Sequence, residues 1–386
     1  MAITKIEVPE LFDFGSDNSA FKLPTGTTAE RPTSPSNGEM RFNTTTGYVE
    51  YYDTTDAQWW EIDYAPSFAS KNFNTVLWTG DSTARTISTG FAPDFVWIKS
   101  RSFPRNHYLY DSIRGANNQI LSNSTDSETT VAQRMTGFDS NGFDVGTSGE
   151  VNTTNETYVS WSWVAGGTAV SNTDGTVTSQ VSANTAAGFS ISTFTSNAST
   201  LTAGHGLNST PDLIIVKATS FADSWFVNSS ALTNRTDRAL RLNQFSAEET
   251  NNAFWNNTAP TSTTFSLGSG VSVSGQSYVA YCWHSVAGYS KIGKYTGQST
   301  SAVTVSLDFT PRFVVIKDTS GNDYWHVWDT ARSPSNNRQE ILYWDLSEAE
   351  ANSASNYIQI NTNEFVTNTG NLANINGNVY LYMAFA

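Results

Sequence analysis

PDLIIVKATS, residues Pro211–Ser220, decides the fold because it occurs three times. It is preceded by PDFVWIKSRS (Pro93–Ser102) and followed by PRFVVIKDTS (Pro311–Ser320). Each copy has a proline, one charged residue, a run of four apolar residues, and a lysine six positions after the proline. The unbroken apolar run predicts a strand buried on both faces, and proline at its first position is where a strand tolerates one. Lys99, Lys217 and Lys317 then mark where that strand leaves the core, a structural rather than catalytic place for a long amphipathic side chain.

The likeness extends outward from the three phrases. Before each lies a short strand-like segment and a turn. After each comes an aromatic patch, NHYLYD (Asn106–Asp111), DSWFV (Asp223–Val227) or DYWHVWD (Asp323–Asp329). A second apolar strand follows, QILS, ALRLN or EILYW. Then stand TDSE (Thr125–Glu128), SAEE (Ser246–Glu249) and SEAE (Ser347–Glu350), each fitting the S/T-x-x-E box that opens a helix of one or two turns. Each unit runs on through a strand around Phe143, Phe265 or Phe365 and ends in TYVSWSW, SYVAYCW or NVYLYMAF. VAGG (Val164–Gly167) and VAGY (Val286–Tyr289) read as hinges between units.

The matching prolines lie 118 and 100 residues apart, the size of a domain rather than of a solenoid turn. The expected fold is therefore all-β: three related β-sandwich-like (jelly-roll-like) modules, each with one short helix, over 71–167, 168–288 and 289–386. Composition agrees. Only 15 % of the 386 residues are charged and 13 % are aromatic, the balance of strands separated by Asn/Gly/Ser/Thr turns. The formal net charge of −14 repels phosphate backbones and argues against nucleic-acid binding.

Residues 1–70 do not match the repeat. Pro24–Gly38 reads as an extended lead-in, followed by three short strands, EMRFN, YVEYYD and QWWEI. This small meander carries Met40, Phe42, Tyr48, Tyr51, Tyr52, Trp59 and Trp60, more apolar surface than it can bury against itself. Copies of the same chain around a symmetry axis are the expected cover, which makes Met40, Phe42, Tyr51, Tyr52, Trp59 and Trp60 candidate oligomerisation or attachment residues. Packing onto the first module is the alternative.

Arg31–Asp53 with Trp59–Trp60 follows the pattern RP-x-SP-x-x-GE-x-R-[FY]-N-T-T-T…E-Y-Y-D…W. It resembles segments of tail-fibre-like virion proteins of tailed bacteriophages, especially marine phages of cyanobacteria. The phrase G-x-x-x-TPDLIIVK with its aromatic patch is similar to repeated domains in structural proteins of such phages. The resemblance implies a virion component, made in the host cytoplasm, oligomeric and often trimeric, in contact with other virion proteins. It implies a tail-fibre or appendage role, in which the modules meet a host-surface receptor or glycan. No heptad stretch is present, so a compact knob is expected rather than a long fibre. Capsid decoration, cement or a neck collar is the alternative, and a polysaccharide-degrading tailspike a third reading. A carbohydrate-binding module of a secreted protein is more distant, because MAITKIEVPELFDFG lacks the character of a signal peptide.

Candidate chemistry is sparse. His107, His205, His284 and His326 show no metal-ligand spacing, and SNTDGT (Ser171–Thr176) and TSGND (Thr319–Asp323) lack EF-hand spacing, so neither metal nor cofactor is expected. Cys282 lies in an apolar run and reads as a small buried hydrophobe. Asp111, Asp223, Asp323 and Asp329 flank the aromatic patches as turn and edge carboxylates, and no catalytic residue is assigned. No apolar run is long enough for membrane insertion by a helix. The aromatic patches could stack on sugar rings, which nominates Tyr108, Trp225, Tyr324, Trp325 and Trp328 as ligand-binding residues. Alternation puts Tyr324, His326 and Trp328 on one strand face and Trp325 and Val327 on the other, so at least one face must be core.

Overall fold

The computed structural model describes residues 23–46, 48–62, 68–333, 337–338, 340–352 and 357–386. They divide at Ser67/Phe68 into two compact units. Residues 1–22 and 63–67 of the expected N-terminal segment lie outside the described residues.

The N-terminal unit is the expected meander with one addition. Met40–Asn43, Tyr48–Asp53 and Gln58–Ile62 pair antiparallel, and Thr25–Gly26 of the lead-in joins Met40–Asn43 in parallel. A 3-10 turn, Thr28–Glu30, follows that added strand.

The second unit is all β apart from isolated helical turns, and each module is a large antiparallel sheet backed by a small one. In module 1 the large sheet runs Thr129–Thr130, Asn118–Leu121, Tyr108–Asp111, Phe95–Ser100, Thr157–Trp163, Phe73–Thr79. Its small sheet is Met135–Asp139, Gly142–Val145, Arg85–Ser88. Module 3 repeats the six-stranded order from Ala351–Asn352 through Phe313–Asp318 to Ser290–Thr296. Module 2 has the same six and extends them past Phe189–Thr195 with Ser179–Asn184 and Val170–Asn172, giving eight.

All six residues of Phe95–Ser100, Leu213–Ala218 and Phe313–Asp318 are buried, as the continuous apolar runs predict. The two faces bury against different things. Val96 and Ile98 face the core between the module's own sheets, with Ile87, Phe143 and Val145. Ile214 and Val216 do the same in module 2 and Val314 and Ile316 in module 3. The alternate residues Phe95, Trp97, Leu213, Ile215, Phe313 and Val315 enter a central core shared by all three modules. There Phe95 stacks on Tyr281 at 4.4 Å and Trp97 on Trp344 at 4.2 Å. Phe73 meets Phe313 and Phe385 at 5.2 and 5.0 Å. Truncating any one of these rings would cost about 3–5 kcal/mol.

Two local readings are corrected by the structure. The S/T-x-x-E segments open no helix. Thr129–Thr130, Glu249–Thr250 and Ala351–Asn352 instead pair as short edge strands. The preceding backbone crosses to the next module: Glu128 N donates to Thr219 O, Glu248 N to Thr319 O and Glu350 N to Arg101 O, at 2.7–2.9 Å. These long-range bonds outweigh a one-turn helix, whose nucleation is unfavourable. The short helices lie at Phe68–Asn72 and Gly149–Asn152, with a 3-10 turn at Leu372–Asn374. Nor do the inter-module segments have the character of hinges. Asp94 Oδ2 accepts from Ala165 N and Gly167 N (2.8 and 3.1 Å), and Asp212 Oδ2 from Ser285 N (2.8 Å). Gly166 has φ +97°, and a Cβ there would lie 2.4 Å from Ala183 O, so the turn is packed as well as tied.

Candidate functional site: the seams of the body and the open face of the N-terminal sheet

Modules meet at three seams, and the repeated residues build all of them. Lys217 Nζ of module 2 donates to Thr125 O of module 1 (3.1 Å). Lys317 Nζ of module 3 donates to Phe245 O of module 2 (3.0 Å). Lys99 Nζ of module 1 donates to Ser347 O of module 3 (3.2 Å). The sense is cyclic, so the modules close into a ring with pseudo-threefold symmetry. None of the three lysines leaves the core: each is fully buried. Burial pushes Lys99 down to about 7 and Lys217 and Lys317 to about 8, against nearby carboxylates that raise them, among them Glu348 and Glu350 for Lys99.

Eight residues after each lysine a ring repeats the cycle. Trp225 Nε1 donates to Leu121 O (2.8 Å) and Trp325 Nε1 to Arg241 O (2.9 Å). In module 1 the position holds His107, whose Nε2 donates to Tyr343 O (2.8 Å) while its Nδ1 accepts from Trp97 Nε1 (2.8 Å). Burial and the charge of Lys99 hold that imidazole well below its ordinary range, so it is neutral, as this pattern of one donor and one acceptor requires. His107 is thus a substitute for a seam tryptophan, a role that needs the repeat alignment and the neighbouring module to be seen.

The seams differ in charge. Between modules 2 and 1, Arg114 pairs with Asp111 (2.5 Å) and Glu128 (2.9 Å), and Tyr281 Oη donates to Asp111 (2.7 Å). Between modules 1 and 3, Arg332 pairs with Asp329 (2.6 Å) and Glu350 (3.0 Å), Trp161 Nε1 donates to Asp329 (3.0 Å), and Arg101 clamps Glu350 (2.7 Å). At the third seam Ser229, Leu232 and Met383 take the places of aspartate, arginine and aromatic donor.

Four of the five proposed ligand-binding aromatics are corrected by this geometry. Trp225 and Trp325 are central-core residues, Trp328 belongs to the module 3 core and Tyr108 to the module 1 core, all 2 % exposed or less. The predicted alternation in DYWHVWD holds, but both faces are core, because the strand lies between two hydrophobic layers. Only Tyr324 reaches solvent, at 37 % exposure, beside Phe245 and Tyr343. The four carboxylates are likewise held: Asp111 and Asp329 by arginines, while Asp223 and Asp323 accept from the next backbone N–H. Asp323 Oδ2 also lies 2.9 Å from His326 Nε2. Cys282 is buried, and burial pushes its thiol up.

The N-terminal sheet has the opposite arrangement from an ordinary sheet. One face carries Arg41, Asn43 and Glu50, all buried. Glu50 accepts from Arg31 (2.5 Å) and Asn43 (3.0 Å), while Arg41 donates to Glu30 O and Thr27 O. The lead-in therefore roofs this polar face. Burial alone would raise Glu50, but the bonds from Arg31 and Asn43 and the charges of Arg31 and Arg41 hold it below its ordinary value. Register puts Met40, Phe42, Val49, Tyr51 and Trp60 together on the other face. None of the five is buried, and Trp60 is 45 % exposed. Of the predicted oligomerisation residues, Met40, Phe42, Tyr51 and Trp60 thus share one open apolar face. Tyr52 and Trp59 sit on the roofed face, their rings 5.5 Å apart.

Fold and seams define a class: an all-β body of three related sandwiches closed into a ring within one chain. Residues 68–386, the whole of that body, match the family described as Domain of unknown function (DUF7483), and the chain belongs to it. No curated protein and no solved structure matches the chain.

Proposed function

We propose that this chain is a structural, non-enzymatic component of a tailed-phage virion, of the tail-fibre or appendage kind. It assembles through its N-terminal sheet and presents the ring of modules to a host surface. The observation that carries this reading is the open apolar face of Met40, Phe42, Val49, Tyr51 and Trp60 on a sheet whose polar face is already roofed. Such a face is marginal alone in water and is covered when three copies bring their sheets together around an axis. Three bodies joined in one trimer would then act together, so that weak contacts with a receptor or glycan add as avidity.

The body also supports a second reading, as cement or collar, because its three modules satisfy one another within one chain. Solution mass separates the two. The attachment reading expects a trimer for the full-length chain and a monomer when it begins at Phe68. Phe42→Ser with Tyr51→Ser should likewise give a monomer with the body's unfolding unchanged. A full-length monomer would overturn the role of the N-terminal sheet and favour the cement reading.

A further inference from the structure

The seam between modules 1 and 2 holds a groove that the ring itself does not require. Its volume is about 690 Å³, within the ~300–1,000 Å³ of small-molecule sites. Its far wall exists because module 2 carries Ser179–Asn184 and Val170–Asn172 beyond the six strands common to all three modules. The turn between them is tied down, with Thr176 N donating to Thr202 Oγ1 (2.9 Å) and a parallel bridge joining Val177 to Ala203.

The floor is the inner face of the module 2 sheet where it runs out from the central core. Phe189 and Ile191 are core residues, and two positions further the same face becomes polar. Gln180 lies opposite Thr193 and Thr195 opposite Ser277, with Thr219 next to them. Among the described residues, the side chains of Gln180, Thr193, Asn197 and Thr219 make no hydrogen bond within the chain. They are hydroxyls and amides, each able to donate and accept. The groove's one cation, Arg114, is consumed by Asp111, Glu128, Tyr281 and the carbonyls of Asn118 and Leu109. The floor strands are hydrogen-bonded on both sides, so no edge is free for an added peptide strand.

The other modules lack this chemistry. The place of Thr193 is taken by Leu77 in module 1 and Lys294 in module 3, by register against the last strand of each module.

We propose that this groove binds a neutral oligosaccharide, through Gln180, Thr193, Thr195, Asn197, Thr219 and Ser277. Uncharged vicinal hydroxyls match a lining of hydroxyls and amides, of which Gln180, Thr193, Asn197 and Thr219 are unbonded and Thr195 and Ser277 meet only each other (3.4 Å), whereas an anionic glycan would meet Glu128 with no free cation to compensate. The inference rests on the attachment reading, whose ligand class it names.

The test is a glycan array probed with the full-length chain. It carries neutral oligosaccharides of glucose, galactose, mannose and N-acetylglucosamine beside sialylated and sulfated ones. Retention on a neutral member is expected, with affinity about tenfold or more weaker in Thr193→Leu, which installs the module 1 residue, and in Gln180→Ala. Lys294→Thr, outside the groove, should leave binding unchanged. Retention on none, preference for anionic glycans, or equal binding by Thr193→Leu and Gln180→Ala overturns the proposal. Solution mass tests assembly separately, so a trimer that binds no neutral glycan removes the groove and leaves the attachment reading standing.

Discussion

Lys217 places an amine where no solvent reaches, and its worth lies in the two carbonyls it satisfies, Thr125 O and Asp223 O. Lys217→Met keeps the stem and removes the donor, leaving both acceptors without it. A loss of about 2–3 kcal/mol in urea unfolding is expected. The lysines also give the body a pH signature. Their folded-state values of about 7–8 lie below the ordinary 10.5, so between those limits the unfolded chain binds more protons and stability rises with pH. Above pH 10 the sign reverses. Buried tyrosines such as Tyr281 and Tyr289 are pushed up by burial and stay protonated in the fold, while the unfolded chain loses those protons. Thermal midpoints should climb from pH 7, peak at roughly pH 9–10 and then fall. A flat or falling profile from pH 7 to 9 would contradict the buried lysines. Their role as structure was legible in the sequence. Their place was not, since a lysine at a strand end normally snorkels and nothing local announces a neighbouring module's carbonyl.

At the scale of elements, the seams offer an exchange experiment. Arg332→Leu leaves Asp329 buried without its cation and should destabilise the body by about 3–5 kcal/mol. Adding Asp329→Ser installs the Ser/Leu combination that module 2 already uses at Ser229 and Leu232, and should recover most of that loss. A double variant as unstable as the single would mean that Trp161 depends on the carboxylate itself. Strand positions were readable because apolar runs and period-two alternation belong to the strands alone. The identity of the second buried face was not. Trp225 and Trp325 look the same in sequence whether their partner is a sugar, a second chain or another module of this one. The S/T-x-x-E segments depart from their helical reading for a related reason: a four-residue motif carries no record of a bond to a residue some 70 to 250 positions away. The groove left only a faint trace, the extra residues that make the first repeat interval longer than the second.

For the whole molecule, a shared core predicts shared unfolding. A chain beginning at Phe68 should unfold in a single transition seen alike by tryptophan fluorescence and far-UV circular dichroism. Residues 71–167 alone would expose Trp97, Trp161 and Trp163 and should not fold cooperatively. Separate transitions for the three modules would show that the central core is dispensable. With three modules in one chain each seam can differ from the others, which three identical chains in a symmetric ring could not do. Among the described residues one seam lacks the aspartate–arginine pair of the other two, and another holds a groove. The join between the first module and the last has a further consequence, at the ribosome. Trp97 waits for Trp344 and Phe73 for Phe385, some 250 to 310 residues later in synthesis. At the usual pace of translation that is on the order of 15–60 s during which half a ring shows its tryptophans to solvent. The nascent body is therefore expected to need chaperones that hold exposed apolar surface, and an expression strain deprived of them should yield less soluble protein from the whole body than from the N-terminal unit.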